Sequence, residues 1–137
     1  MREILLFCIK ENHYAIDVKY IKEVIDIDKK VNNIPNSKPY LIGLLLHRNK
    51  ALPIIDLSML LLRGKNSYNN KIAIIVKCNQ ELIGFLIDQA YQVIKLEDVQ
   101  LMPLPDNFKY RDESIFYIDE KPHHLLSINR LSSVLTS

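Results

Sequence analysis

The chain consists of short apolar runs separated by polar turns, a pattern typical of β-hairpins. In the first of them, the runs Glu3–Lys10 and His13–Ile16 flank the polar pair Glu11 and Asn12. Apolar residues in these runs either alternate with polar ones or follow one another, as they do in half-buried and buried strands. Further strands of this kind are predicted at 40–46, 51–55, 71–77, 82–88, 91–96, 114–119 and 123–127.

Three short helical segments are predicted between or after the strands. Asp17 can cap a brief helical segment, because the apolar residues that follow it recur at three- and four-residue spacing before EVIDI returns to strand. Asp56 is placed to cap a helix over 57–62, which Gly64 can end in a left-handed conformation. A last helix is predicted over 128–134.

The pattern of the first half recurs in the second half at an offset of 71 positions, as at Ile16 and Ile87. We expect one domain over 1–137 with two related lobes, at about 14–70 and 71–127, and with terminal segments that cross between them. Short strands separated by turns, about five in each lobe, favour small closed β-barrels with short helices over a sandwich. The anchors of the repeat are the pairs Asp17 and Asp88, Gly43 and Ser114, and Asp56 and Ser127.

Composition places the chain among ordinary globular proteins. Of its 137 residues 48% are hydrophobic and 25% are charged, and a chain of this length can bury a core without metal or disulfide. The net charge of +2 comes from 18 basic and 16 acidic residues that are interleaved, so nucleic acid is not implied as a partner. The longest apolar runs are far shorter than the roughly 20 residues that cross a bilayer, and MREILLF lacks the features of a secretory signal. We therefore expect a cytoplasmic protein without membrane insertion.

Patterns of catalytic or cofactor-binding residues are missing from the sequence. The dinucleotide, P-loop, zincin and nucleophile-elbow motifs are absent, so neither an enzyme nor a cofactor is expected. His123 and His124 are adjacent in a predicted strand and would point to opposite faces. This excludes one metal ion bound by both, and it predicts one exposed and one half-buried ring. Cys8 and Cys78 lie in apolar runs and are expected to be buried structural thiols.

The stretch from Leu41 to Leu61, LIGLLLHRNKALPIIDLSMLL, resembles the most recognisable segment of the CheW-like domains of bacterial chemotaxis. In that family an apolar strand leads to an Asn-Leu-Arg-Gly turn, a proline-containing strand and an Asp-Leu pair that opens a helix. Arg48 keeps the place of the arginine, whereas Asn49 replaces the glycine and is its least costly substitute if φ is positive there. Pro53 matches the proline and lacks an N–H, so we expect it at a sheet edge or a strand end. The segments YAIDVKYIKEVI and ELIGFLIDQAYQVIKLEDVQLMP extend the resemblance over nearly the whole chain.

The resemblance implies a fold of two five-stranded barrels of the Src-homology-3 type and a non-enzymatic activity of bridging proteins. Family members couple the cytoplasmic helices of chemoreceptors to a chemotaxis histidine kinase, by pairing with its homologous regulatory domain and docking receptor helices between the barrels. By matching family positions, the partner-binding site is assigned an apolar lining of Ile21, Val24 and Ile83 and a polar rim of Glu23 and Arg48. The alternatives are that Arg48 is a solvated turn cation and that Val24 belongs to the core.

Two other functions stay open from the sequence alone. The altered turn at Arg48 and Asn49 would also suit a diverged CheW-like scaffold that serves another kinase pathway. Small β-barrels can also bind nucleic-acid strands through basic and aromatic faces. The near-neutral net charge and the absence of tryptophan disfavour that activity.

Overall fold

The computed structural model describes residues 2–27, 31–32, 38–61, 72–97, 101–102, 104 and 112–135. The elements in chain order are β1 (Arg2–Ile9), β2 (Asn12–Asp17), a 3-10 turn (Val18–Tyr20), β3 (Ile21–Asp26), β4 (Leu41–His47), β5 (Lys50–Asp56), α1 (Leu57–Leu61), β6 (Ile72–Cys78), β7 (Glu81–Ile87), β8 (Gln89–Leu96), β9 (Asp112–Ile118), β10 (Lys121–Leu126) and α2 (Ile128–Leu135). The strands form two five-stranded sheets with the orders β8-β1-β2-β10-β9 and β3-β6-β7-β5-β4. The predicted mostly β fold of two five-stranded units is confirmed, and the pairings among the described residues leave each sheet open between its end strands.

The two sheets correspond strand by strand, which confirms the duplication. β4 begins at Leu41 and β9 begins at Asp112, 71 positions later. The helices α1 and α2 begin at Leu57 and Ile128, again 71 positions apart. Along the two sheet orders β8 matches β3, the hairpin β1-β2 matches β6-β7, β10 matches β5, and β9 matches β4. The second strand of each matching hairpin makes the parallel pairing of its sheet, β2 with β10 and β7 with β5.

Two compact units divide the chain, a central unit formed by Ile21–Gln89 and a split unit formed by Met1–Tyr20 with Ala90–Ser137. The split unit takes strands from both parts of the chain because β2 pairs with β10. The lobes at about 14–70 and 71–127 follow the duplication along the sequence, whereas the compact units follow strand pairing. The lobe boundaries therefore stay a prediction about the repeat.

In the central unit, β5 is an interior strand between β7 and β4. Pro53 lies inside β5 opposite Leu44, so the prediction that it marks a sheet edge or a strand end is wrong. Proline is accommodated because the parallel pairing with β7 begins at Ile54, one residue later, so the missing N–H falls before that ladder. A cluster of buried apolar side chains forms the core on one face of this sheet: Leu45, Leu52, Ile54, Ala73, Ile75 and Leu86.

In the split unit, Arg2 of β1 connects three strands through two carboxylates. Its Nε donates to Oδ2 of Asp17 at 3.0 Å, and its Nη1 and Nη2 donate to Glu113 at 2.6 and 3.1 Å. The hydrogen bonds to Glu113, and then to Asp17, raise the pKa of the Arg2 side chain, so this cation is permanent. The buried core residues of this unit are Ile4, Leu6, Ala15, Leu96, Phe116 and Leu125.

The first predicted helical segment is shorter than its periodicity suggested. It is a single 3-10 turn, Val18–Tyr20, and Oδ1 of Asp17 caps it by accepting the Lys19 N–H at 3.0 Å. Ile21 begins β3 instead of continuing the helix, because it pairs with Val76 of β6. Strand pairing with a distant segment has overridden the local spacing.

The two α-helices begin where the sequence predicts. Oδ1 of Asp56 accepts the Ser58 N–H at 3.0 Å and so caps α1. Oγ of Ser127 accepts the Arg130 N–H at 3.3 Å, which is the capping contact of α2. The predicted role of Gly64 lies outside the described residues. Within the described part of the chain, no helix has the length and apolar character needed to cross a bilayer.

Candidate partner-binding site

The hairpin between β4 and β5 turns through Arg48 and Asn49. Their φ values are 51° and 64°, which is the left-handed pair that a two-residue hairpin turn needs. The φ of Asn49 is thus positive, which is the case in which asparagine replaces glycine at least cost. The Arg48 side chain is 76% exposed, so the turn holds its guanidinium out in solvent.

Glu23 of β3 contacts both His47, at the end of β4, and Arg48 in the turn that follows, although β3 and β4 are the two end strands of the sheet. Its Oε1 lies 2.7 Å from Nε2 of His47, and its Oε2 accepts a hydrogen bond from Nη2 of Arg48 at 3.2 Å. The structure therefore brings together the two polar residues assigned to the rim, Glu23 and Arg48. Sequence reasoning missed His47 as a member of this group, although it directly precedes Arg48 and is the last residue of β4.

Charge keeps this group together. The hydrogen bond from His47, followed by the positive charge of Arg48, lowers the pKa of Glu23 against the opposing effect of desolvation. Glu23 therefore carries its full negative charge at neutral pH. An ionised carboxylate offers two oxygens, and here each of them has its own donor.

A cavity of about 540 Å³ opens beside these three residues, within the central unit. Apolar side chains from β5, β6 and β7 form part of its wall, whereas charged side chains of both signs line the rest. No cluster of three or more potential metal ligands occurs among the described residues, here or elsewhere. A surface of this kind suits a segment of another protein that carries both apolar and charged side chains. The residues lining it are Lys22, Glu23, His47, Arg48, Lys50, Ala51, Leu52, Pro53, Ile75, Gln80, Glu81 and Leu82.

The three residues assigned to the apolar lining share one face of the central sheet. Ile21 and Ile83 are both cross-strand partners of Val76, on either side of β6. Val24 is the partner of Ile74, which lies two residues from Val76 and so points the same way. A register shift after Ile21 puts this residue and Val24 on one face in spite of their odd spacing.

Glu23 lies on the opposite face from the apolar three, because its partner is Ile75 of the core cluster. The five assigned residues therefore form two groups, a polar one around Glu23 and Arg48 and an apolar one that includes Val24. The strand β3 lies at the end of its sheet, and Val24 is 44% exposed there. Val24 is thus a surface residue, and side chains from both faces meet at this edge.

A family model described as the CheW-like domain matches residues 3–135. The chain belongs to the CheW family. The match includes both copies of the duplicated pattern, and with them every residue of the site described above. Membership in this family accounts for the two matching five-stranded sheets.

Named relatives agree with the CheW assignment. The chain is 27% identical over 135 residues to the chemotaxis protein CheW of Bacillus subtilis, covering 97% of this chain and 86% of that protein. It is 28% identical over 106 residues to the chemotaxis protein CheW of Klebsiella aerogenes, covering 77% of this chain and 63% of that protein, which is less than two thirds of its length. The crystal structure of the scaffolding protein TtCheW from Thermoanaerobacter tengcongensis superposes with a TM-score of 0.85 at 25% identity, covering 95% of this chain and 86% of that one.

Two histidines of the split unit stack on each other in this CheW-family chain. The ring centroids of His13 and His123 lie 4.9 Å apart, and the ring of Phe116 stacks on that of His123 with centroids 5.3 Å apart. Nδ1 of His123 lies 2.9 Å from the carbonyl oxygen of Lys121, to which it donates. His123 is 4% exposed and His124 is half-buried, so the prediction of one exposed and one half-buried ring is wrong. The error arises because β10 lies between β2 and β9, and the part of its face that carries His123 and Leu125 is buried.

Burial lowers the pKa of His123, with smaller contributions from the neighbouring His13, His124 and Lys121, against a raising effect of the Lys121 carbonyl. The unfolded chain therefore binds a proton on this residue more readily than the folded chain does. We expect the stability that depends on neutral His123 to be present above about pH 6.5 and to be lost as the pH falls below that value.

The measurement is the free energy of unfolding by urea between pH 7.5 and pH 5. His123→Phe keeps a ring against Phe116 and removes the titrating group, so its stability should fall less steeply with acid than that of the wild-type chain. Equal slopes in the two proteins would show that His123 does not carry the effect.

The two cysteines of the CheW-family chain are not joined in a disulfide. Cys78 is buried at the end of β6, as predicted, and burial raises the pKa of its thiol to about 11. It is therefore protonated at neutral pH and unsuited to act as a nucleophile. Cys8 is half-buried, so the prediction of full burial is wrong for this residue.

Proposed function

We propose that this protein is a non-catalytic adaptor that couples the cytoplasmic helices of chemoreceptors to a chemotaxis histidine kinase. Membership in the CheW family supports this, as does the similarity to proteins named for chemotaxis and scaffolding. The observation that carries the proposal is the exposed guanidinium of Arg48, which the contact with Glu23 holds where the turn after β4 meets β3. Partners of this kind would place the protein in the cytoplasm.

The receptor contact would use the β3 edge. A docked helix needs apolar contacts along its length and a few directional polar contacts at its side. Exposed Val24 supplies an apolar contact at this edge, with Ile21 and Ile83 continuing the same face inward. Arg48 supplies the polar contact, since a guanidinium can hold a partner carboxylate with two parallel hydrogen bonds. Glu23 holds Arg48 near the turn until the partner arrives.

The kinase contact would use a different surface, because an adaptor must hold two partners at once. Strand β8 lies at one end of the split unit's sheet, and two exposed apolar side chains, Tyr91 and Val93, project from the same face of it. An end strand with exposed apolar residues invites pairing with a similar edge of another domain. The homologous regulatory domain of the kinase would offer such an edge. Interfaces between signalling proteins are often small and weak, and repetition of the same contact in a receptor array would strengthen the binding.

The arrangement of the polar residues suits docking better than catalysis. Electrostatic catalysis depends on groups that are aimed at a substrate in a water-excluded site. Arg48 is in solvent and its partner is Glu23 of the same chain. These side chains therefore suit the binding of other proteins better than the turnover of a small molecule.

The proposal is tested by capture of purified partners on the immobilised chain. The partners are a chemoreceptor cytoplasmic fragment and a chemotaxis histidine kinase encoded in the same genome. We expect the wild-type chain to retain both, and Arg48→Ala to bind the receptor fragment at least about tenfold more weakly, the loss typical of a central interface arginine. The kinase should still be retained, since Arg48 belongs to the central unit and the β8 edge belongs to the sheet of the split unit.

Two control variants separate the guanidinium from simple charge. Lys50→Ala removes a cation from the same cavity and should bind nearly as the wild type does. Arg48→Lys keeps the charge but lacks the planar fork, so it should bind with intermediate strength. A folded Arg48→Ala chain with unchanged capture would remove Arg48 from the site. A wild-type chain that captures neither partner would contradict the adaptor function itself.

A further inference from the structure

Three contacts join Glu23, His47 and Arg48, and two of them involve the same atom, Nε2 of His47. The contact between Nε2 of His47 and Oε1 of Glu23 is short, at 2.7 Å, and a contact of that length between nitrogen and a carboxylate oxygen requires a proton on the nitrogen. The contact from Nη2 of Arg48 to Oε2 of Glu23 is longer, at 3.2 Å. His47 is therefore the firmly held donor, and Arg48 is the loosely held one.

A second contact shows that the three groups cannot all be satisfied at once. Nε of Arg48 lies 3.3 Å from Nε2 of His47 and is directed toward it. That hydrogen bond requires a lone pair on Nε2, whereas the bond to Glu23 requires a proton on the same atom. With the proton in place, Arg48 keeps only its single long contact to Glu23, and its side chain is 76% exposed.

We propose that the charge on the His47 imidazole controls whether Arg48 is retained by Glu23 or released to bind a carboxylate of a partner protein. A charged imidazolium binds Glu23 more strongly than a neutral ring does, and it repels the guanidinium 3.3 Å away. Protonation of His47 thus frees Arg48, and deprotonation returns it to Glu23. This inference rests on the proposed role of Arg48 in partner binding and adds a regulator to that site.

The other charged groups around His47 are Lys22 on β3, Arg48 in the turn, Lys50 on β5 and Glu81 on β7. Imidazole is the side chain whose ordinary titration falls near neutrality, whereas lysine, arginine and glutamate ordinarily do not change charge between pH 6 and pH 8.

The first experiment needs the full chain alone. Nitrogen-15 NMR follows the Nε–H group of Arg48 and the ring nitrogens of His47 between pH 8 and pH 6. We expect the Arg48 signal to shift with the same midpoint as the His47 ring in the wild type. In His47→Gln, which keeps a donor for Glu23 but does not titrate, the Arg48 signal should stay constant. A constant Arg48 signal in the wild type, or an equal shift in His47→Gln, would overturn the proposal.

The second experiment uses the chemoreceptor cytoplasmic fragment as the probe. We expect the wild-type chain to bind it about threefold more tightly at pH 6 than at pH 8, as suits the gain or loss of one exposed ion pair. His47→Gln should bind equally at both pH values. Wild-type binding that does not change with pH would overturn regulation by His47. If the wild type binds no receptor fragment at either pH, the adaptor function fails, and the NMR experiment still decides whether His47 displaces Arg48 from Glu23.

Discussion

We expect Gly43→Ala to lower the free energy of unfolding by about 3 kcal/mol, at the upper end of the range for an added methyl group in a packed interior. A Cβ at this position would overlap the carbonyl oxygen of Asn32. That oxygen accepts the Leu44 N–H at 2.8 Å, and the Asn32 N–H donates back to Leu44 at 2.9 Å. The backbone cannot withdraw without breaking both hydrogen bonds, so the overlap is not relieved.

Gly84→Ala is the matched control for this prediction. A Cβ at Gly84 would lie 2.8 Å from Cδ1 of Ile54, which is the mobile end of a side chain and not backbone. Rotation of that side chain should limit the loss to about 1 kcal/mol. Urea unfolding followed by circular dichroism measures both variants. If Gly43→Ala proves as stable as Gly84→Ala, the close approach of Asn32 is not what requires glycine at position 43.

The second large effect is expected for Ile54→Ala, a loss of about 4 kcal/mol in unfolding free energy, near the top of the range for such truncations. Ile54 is completely buried in β5, and its cross-strand partners are Gly43 in β4 and Gly84 in β7. Neither neighbour has a side chain that could fill the space left by the missing atoms. The cavity therefore persists, and its cost adds to the lost burial.

A double-variant cycle tests this explanation of the Ile54→Ala effect. Gly84→Ala should be destabilising in the wild-type chain, where it crowds Ile54, and stabilising in Ile54→Ala, where its methyl group enters the cavity. Ile54→Val removes one methylene and should cost only about 1 kcal/mol. Additive effects of Gly84→Ala and Ile54→Ala would mean that the two side chains do not share a space.

The fold was largely predictable because local pattern determined it. Runs of apolar residues on either side of polar turns placed the strands within a few residues of their observed bounds, and the repeat at 71 positions anticipated the match between β4 and β9. Pro53 was misplaced because the neighbours of a strand depend on distant segments. The pairing of β5 with β7 joins residues about thirty positions apart, which no local pattern around Pro53 records.

The candidate site was less predictable, for a related reason. Glu23 and Arg48 were assigned from family positions, and the structure places them in contact. His47 went unassigned because its contact with Glu23 spans 24 positions and depends on where β3 lies relative to the hairpin β4-β5. The grouping of Ile21 with Val24 on one face depends on a register shift that alternating hydrophobicity does not reveal.

The split unit takes two strands from residues 1–20 and the other three from residue 89 onward. On the ribosome these two strands emerge before the central unit, whereas their partners β8 to β10 emerge after it. The central unit is continuous along the chain, so it can complete its sheet earlier. The central unit can thus fold before the split unit is complete. Until β8 to β10 are made, the hairpin β1-β2 has unpaired edges that chaperones or a neighbouring nascent chain can reach.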